Sequence, residues 1–127
     1  MNDAFGSRPC PCGSDAAYEA CCQPLHHGER DAATAVELMR SRYSAYATGA
    51  ADYLFRTWHP RMRPAEVTVD PAVVWRGLQI TDVRNGGSDD DRGEVAFTAA
   101  YDDGAMRERS RFERRRGRWV YVDGDAG

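Results

Sequence analysis

The stretch GEVAFTAAYDDGAMRERSRFERRRGRWVYVDG, residues 93–124, decides the fold. Val95, Phe97, Ala99 and Tyr101 alternate with Glu94, Ala96, Thr98 and Ala100, the period of a strand that buries one face. Asp102-Asp103-Gly104 reads as a hairpin turn and Arg116-Gly117 as a second. Together with the run from Leu78, the pattern predicts four strands, at 78–85, 93–102, 105–115 and 118–123, joined as an antiparallel meander.

Upstream the period is helical. Thr34 and Glu37 form a T-x-x-E capping box ahead of Val36, Met39, Tyr43 and Tyr46, and Gly49 stands where a glycine would close the helix. A second helix is expected from Asp52 to Trp58, with Leu54, Phe55 and Trp58 on one face and Pro60 as its stop. Asp70-Pro71 predicts a third, short helix through Trp75. Helices first and strands afterwards give an α+β domain over residues 31–127, its helices packed on one sheet face.

The chain has 127 residues and a formal net charge of −3. That length suits one compact domain with a small appendage. No apolar run is long enough to span a bilayer, so no membrane insertion is expected. Met1–Pro9 lacks the apolar segment of a signal peptide, which predicts a cytoplasmic protein. All 17 basic residues are arginines, an expected consequence of GC-rich coding; without lysine, Schiff-base and P-loop chemistry are excluded.

All four cysteines fall at Cys10, Cys12, Cys21 and Cys22, in a C-x-C-x8-C-C pattern within residues 1–30, a segment rich in Gly, Pro and His without helix or strand periodicity. Structural zinc, a redox pair and incidental thiols compete as readings. A cytosolic setting and the awkward reach of a bridge between adjacent cysteines disfavour disulfides. Four thiolates about 2.3 Å from one Zn²⁺ satisfy its tetrahedral preference, so one structural Zn²⁺ is the expected cofactor. His26 and His27 are alternatives to Cys22 as the fourth ligand. Gly13-Ser14 is expected to supply a turn whose N–H groups point at sulfur.

CPCGSDAAYEACC, residues 10–22, resembles the SEC-C motif, named for the zinc-binding tail of the SecA preprotein translocase motor, where it contacts a chaperone and the ribosome. LMRSRYSAYATGAADYLFRTWHP, residues 38–60, and ERSRFERRRGRWVYVDG, residues 108–124, resemble the YchJ-like family of small bacterial SEC-C proteins. The resemblance implies an NTF2-like cone, in which N-terminal helices pack on a curved four-stranded antiparallel sheet, with a zinc module at residues 1–30. Many members also carry a second SEC-C motif, which is not found up to Gly127. The family implies no assigned activity, and homodimers are common among NTF2-like domains; monomer and homodimer both stay open here.

In the body, Met39 and Tyr43 lie on the core face of the first helix, and one of Arg40 and Arg42 is expected to flank it. Each is a candidate anion clamp or a partner in an ion pair with a strand carboxylate such as Glu108. His59 and Asp123 are the candidate catalytic base and its orienting acid, for a small carbonyl compound. Tyr43 and Trp58 are candidate ligand-binding aromatics. Arg107, Arg109 and Arg111 alternate along one strand side, and Arg114, Arg115, Arg116 and Arg118 follow around the hairpin, a positive field for phosphate or RNA or else a solvated face. The leading expectation is a non-enzymatic module that meets a protein partner, with nucleic acid or ribosome contact as a weaker variant. A small His59/Asp123 enzyme and a zinc- or thiol-based stress sensor are the alternatives.

Overall fold

A computed structural model describes residues 8–127, so the segment before Arg8, including most of Met1–Pro9 and the start of the expected module, lies outside the described residues. Four strands form one antiparallel sheet in the order β1-β2-β3-β4. They are β1 Trp75–Asn85, β2 Arg92–Tyr101, β3 Gly104–Arg115 and β4 Arg118–Ala126. The meander and both hairpin turns are as the alternation predicts. Along β2, Val95, Phe97 and Ala99 are buried while their neighbours are half-buried.

Three helices precede the sheet: α1 Gln23–His26, α2 Ala35–Thr48 and α3 Ala51–Arg56. Thr34 caps α2 by accepting the Glu37 N–H at 3.1 Å, and Glu37 Oε1 accepts the Ala33 N–H at 2.7 Å. Gly49 ends α2 at φ +82°, its N–H returning to the Ala45 carbonyl at 2.9 Å. The second helix ends at Arg56, short of Trp58. Residues 57–59 instead run beside β4, with Tyr121 N–H donating to Thr57 O and His59 N–H to Tyr121 O, each at 2.8 Å.

The helix expected from Asp70 to Trp75 does not form. Asp70 Oδ1 takes the Ala72 N–H at 2.9 Å, which closes a turn. The β-branched pair Val73-Val74 then leads into β1, where Trp75 pairs with Tyr101 and their rings meet edge-on at 5.7 Å.

Leu38, Met39 and Tyr43 of α2, with Leu54 of α3, pack on Val95, Phe97, Phe112 and Trp119 of the sheet. The N-terminus of α2 docks on the β1–β2 hairpin, where the Ala35 N–H donates to Gly86 O at 2.9 Å. A Cβ on Gly93 would stand 2.5 Å from Gly86 Cα and 3.2 Å from Ala35 Cβ, so only glycine allows this approach. Leu25 of α1 belongs to the same core, so the cysteine segment is packed into the body rather than tethered beside it.

Candidate metal centre

The segment carrying the cysteines is built from short backbone contacts. Pro9 and Ala17 form an antiparallel bridge, the Cys10 N–H donates to Ala16 O at 2.8 Å, and Gly13, at φ +82°, turns the chain back. A 3-10 turn at Tyr18–Ala20 then presents Cys21 and Cys22. The four Sγ atoms lie within 4.8 Å of one another, with Cys12–Cys21 at 3.6 Å and Cys21–Cys22 at 3.9 Å. Ligands at about 2.3 Å in a tetrahedron stand about 3.8 Å apart, so the spacing fits a single metal ion bound through sulfur. Cys10, Cys12 and Cys22 are buried and Cys21 is half-buried.

The electrostatics agree. Hydrogen bonds from Cys10 and Cys22 hold the Cys12 thiol well below the ordinary range, while hydrogen bonds with Cys10 and Cys12 push Cys22 far up. Burial raises Cys21. One thiolate is held by its protonated neighbours, and a cation at the centre would stabilise further thiolates beside it. Four protein sulfurs around one ion would leave no open coordination position.

The surroundings orient the sulfurs. Ser14 Oγ lies 3.1 Å from Cys21 Sγ, and Ser44 Oγ of α2 lies 3.4 Å from Cys10 Sγ. Of the Gly13-Ser14 turn, the Ser14 N–H faces the Cys12 sulfur as the turn chemistry predicts, while the Gly13 N–H donates to Cys10 O at 3.1 Å and the Ser14 hydroxyl approaches Cys21.

Neither histidine joins the cluster. His26 uses both ring nitrogens elsewhere: Nε2–H donates to Ser41 O at 2.8 Å, and Nδ1 accepts the Tyr18 hydroxyl at 2.7 Å. Burial lowers its pKa, which keeps the ring neutral in this bridge. His27 is exposed beside Glu29.

Arg40 makes no ion pair among the described residues. Its Nη1 donates to the Cys12 carbonyl at 2.7 Å, joining α2 to the cysteine loop. Arg56 of α3 closes the same seam by donating to Leu25 O and His26 O. Arg40, Ser41, Ser44 and Arg56 therefore bind the metal module to the body. Sequence periodicity has no signal for the roles of Ser41 and Ser44, because small polar residues on a helix say nothing of what packs above them.

The other candidates are dispersed. His59 and Asp123 do not meet: His59 Nε2 faces Glu113 at 3.5 Å, while Asp123 accepts from Arg111 Nε at 2.5 Å. Arg109 pairs with Asp82 and Glu94, and Arg111 with Asp123 and Asp125, so both are tied into the sheet's charge ladder. Arg107 lies on the same strand, whereas Arg114 turns back to donate to the carbonyls of Asp90 and Ser88. Arg42 is buried but makes no ion pair with Glu108; it donates to Leu54 O and Thr57 Oγ1. Tyr43 and Trp58 line a cavity with it.

Beside the module, a cleft of about 530 Å³ is lined by Arg30, Arg56, Arg63, Arg115, Arg116 and Arg118. Arg30, Arg56 and Arg118 are paired with Glu37, Asp52 and Asp31. Arg63, Arg115 and Arg116 have no carboxylate partner among the described residues, so the cleft carries a positive surplus that sequence order alone divides among three segments.

Comparison with known proteins follows the same division. The family model for the YchJ middle NTF2-like domain matches residues 34–124, and that for the SEC-C motif matches residues 8–24. A UPF0225 protein of Streptomyces coelicolor is 52% identical, over 92% of this chain and 94% of its own length. The chain belongs to the UPF0225 family of YchJ-like SEC-C proteins. A UPF0225 protein of Deinococcus radiodurans is also 52% identical, over 91% of this chain and 88% of its own. The solution structure of a SEC-C motif containing protein from Rhodopseudomonas palustris superposes with a TM-score of 0.80 at 34% identity, covering 94% of this chain and 99% of that one. A SEC-C motif containing protein from Psychrobacter arcticus shares the fold, with a TM-score of 0.73 at 23% identity, over 100% of this chain and 86% of that one. No helix among the described residues is long and apolar enough to cross a membrane.

Proposed function

We propose that this UPF0225 protein is a non-enzymatic interaction module, in which one structural Zn²⁺ held by Cys10, Cys12, Cys21 and Cys22 shapes a binding surface for a macromolecular partner. The observation that carries the reading is the closed four-sulfur cluster locked to α2 through Arg40 and Ser44. A site with no open position and a rigid mount builds surface rather than performing chemistry. The arginine cleft extends that surface along the module's flank, and its charge favours a partner with acidic or phosphate groups, ribosomal components included. The enzyme alternative loses its support because His59 and Asp123 belong to separate contacts. Burial of three of the sulfurs argues against a fast thiol sensor.

Affinity capture of the full chain from lysate, with sucrose-gradient analysis of ribosomes, tests the reading. The variant Cys21→Ser/Cys22→Ser is expected to lose the wild-type partner set, and Arg115→Glu/Arg116→Glu to weaken it while retaining zinc. An unchanged partner set after metal loss would overturn the proposal.

A further inference from the structure

A second cavity, of about 330 Å³, lies between α2 and the sheet, and no residue of the cysteine segment lines it. Its walls are largely apolar and aromatic, with Met39, Tyr43 and Tyr46 on one side and Trp75, Phe97 and Met106 on the other. Met106, 40% exposed, marks its mouth. A volume near the lower end of small-molecule sites suits a compact ligand.

Two opposite charges line this cavity without meeting. Arg42 is only 4% exposed. Its Nη1 donates to Leu54 O at 2.9 Å and to Thr57 Oγ1 at 2.8 Å, and its guanidinium carbon sits 4.8 Å from the Tyr121 ring centroid and 5.2 Å from that of Trp58. Nε and Nη2 have no acceptor among the described residues. On the sheet side, Glu108 Oε2 accepts from Ser110 Oγ at 2.6 Å and from Tyr121 Oη at 3.0 Å, which leaves Oε1 without a donor among the described residues. No fully buried side-chain nitrogen or oxygen among the described residues lacks a partner, so these free atoms face accessible space.

A buried guanidinium is ordinarily matched by a carboxylate, and aromatic faces offset only part of its desolvation. The fork of a guanidinium is also suited to bidentate carboxylate. Glu108 on the same lining disfavours a phosphate dianion, but it welcomes a hydrogen-bond donor. We propose that the cavity binds a small amphipathic carboxylic acid bearing a hydroxyl or amine, with its carboxylate on Arg42, its apolar body among the aromatic side chains and its donor on Glu108. This site is independent of the macromolecular surface described above.

Titration calorimetry on the full zinc-loaded chain tests this with 3-phenyllactate, its methyl ester, and 3-phenylpropionate, which lacks the hydroxyl. The acid is expected to bind at least about tenfold more tightly than the ester, with 3-phenylpropionate between them. Glu108→Met should erase the advantage of the hydroxyl while keeping that of the carboxylate. Arg42→Met should erase the preference for acid over ester. Because Arg42 also anchors Leu54 and Thr57, Ala99→Leu, which fills the cavity without touching either charge, serves as the second variant and should abolish binding of all three. The proposal is overturned if no probe binds at millimolar concentration, if acid and ester bind alike, or if Ala99→Leu binds as wild type does.

Discussion

Residues 8–30 and residues 31–127 reach order by opposite means. The body buries Leu38, Leu54, Val95 and Trp119 between helices and sheet and is held by apolar area. The cysteine segment has its own small cluster of Cys10, Cys12 and Cys22, with Tyr18 and Cys21 against it, and contributes one large side chain, Leu25, to the main core. So few apolar groups do not offset the entropy of ordering such a segment, and bonds from the four sulfurs to a metal would supply what is missing. The seam teaches something further. Polar contacts from α2 reach the cysteine loop, so the module leans on the body even though its own order comes from a different source.

Removing the metal gives the sharpest separation. Chelation is expected to remove on the order of 10 kcal/mol of apparent binding energy from the module. In ¹H–¹⁵N spectra the amide signals of residues 8–30 should collapse while the β2–β4 signals persist. If the whole chain unfolds together, the two regions are one cooperative unit and the contrast fails.

Leu54→Ala, at a fully buried position, should cost the body about 2–5 kcal/mol in urea unfolding. The metal content of the folded fraction should stay at one per chain. Gly93→Ala drives a Cβ into the Gly86 backbone across the β1–β2 hairpin and crowds Ala35, and should cost about 1–3 kcal/mol, read in the same unfolding curves.

Arg40→Met tests the seam, since it leaves the Cys12 carbonyl without its charged donor. A loss of about 1.5–3 kcal/mol is expected, with faster metal transfer to a competing chelator as the reading that a defect confined to the body would not produce. Thr34→Ala removes only the cap of α2 and should cost about 1 kcal/mol in thermal unfolding, with no change in chelator kinetics.

Much of this is legible in residue order because its causes are local. The alternation in β2, the Thr34–Glu37 box and the Gly49 cap each act within a few residues and appear where their patterns predict. The C-x-C-x8-C-C spacing belongs with them, since one short loop brings the four sulfurs together. The failed helix at Asp70–Trp75 shows where local signals compete. An Asp-Pro start is outweighed by an Asx-type turn and by two valines leading into an edge strand.

What residue order left open is every pairing set by distant packing. Arg42 meets Leu54 and Thr57 rather than Glu108, His59 meets Glu113 rather than Asp123, and His26 bridges Tyr18 and Ser41 rather than binding metal. Periodicity tells which side of an element is buried but not which element covers it. By itself, then, the sequence determined the meander, the capped helix and the gathering of four cysteines on one short loop, because turn chemistry, burial period and cysteine spacing act over short separations. Only the tertiary structure decided that α2 carries the module on Arg40 and Ser44 and that Arg42 and Glu108 line one cavity. Those contacts depend on how helix and sheet cross, a geometry set by the sum of the packing and by no single motif.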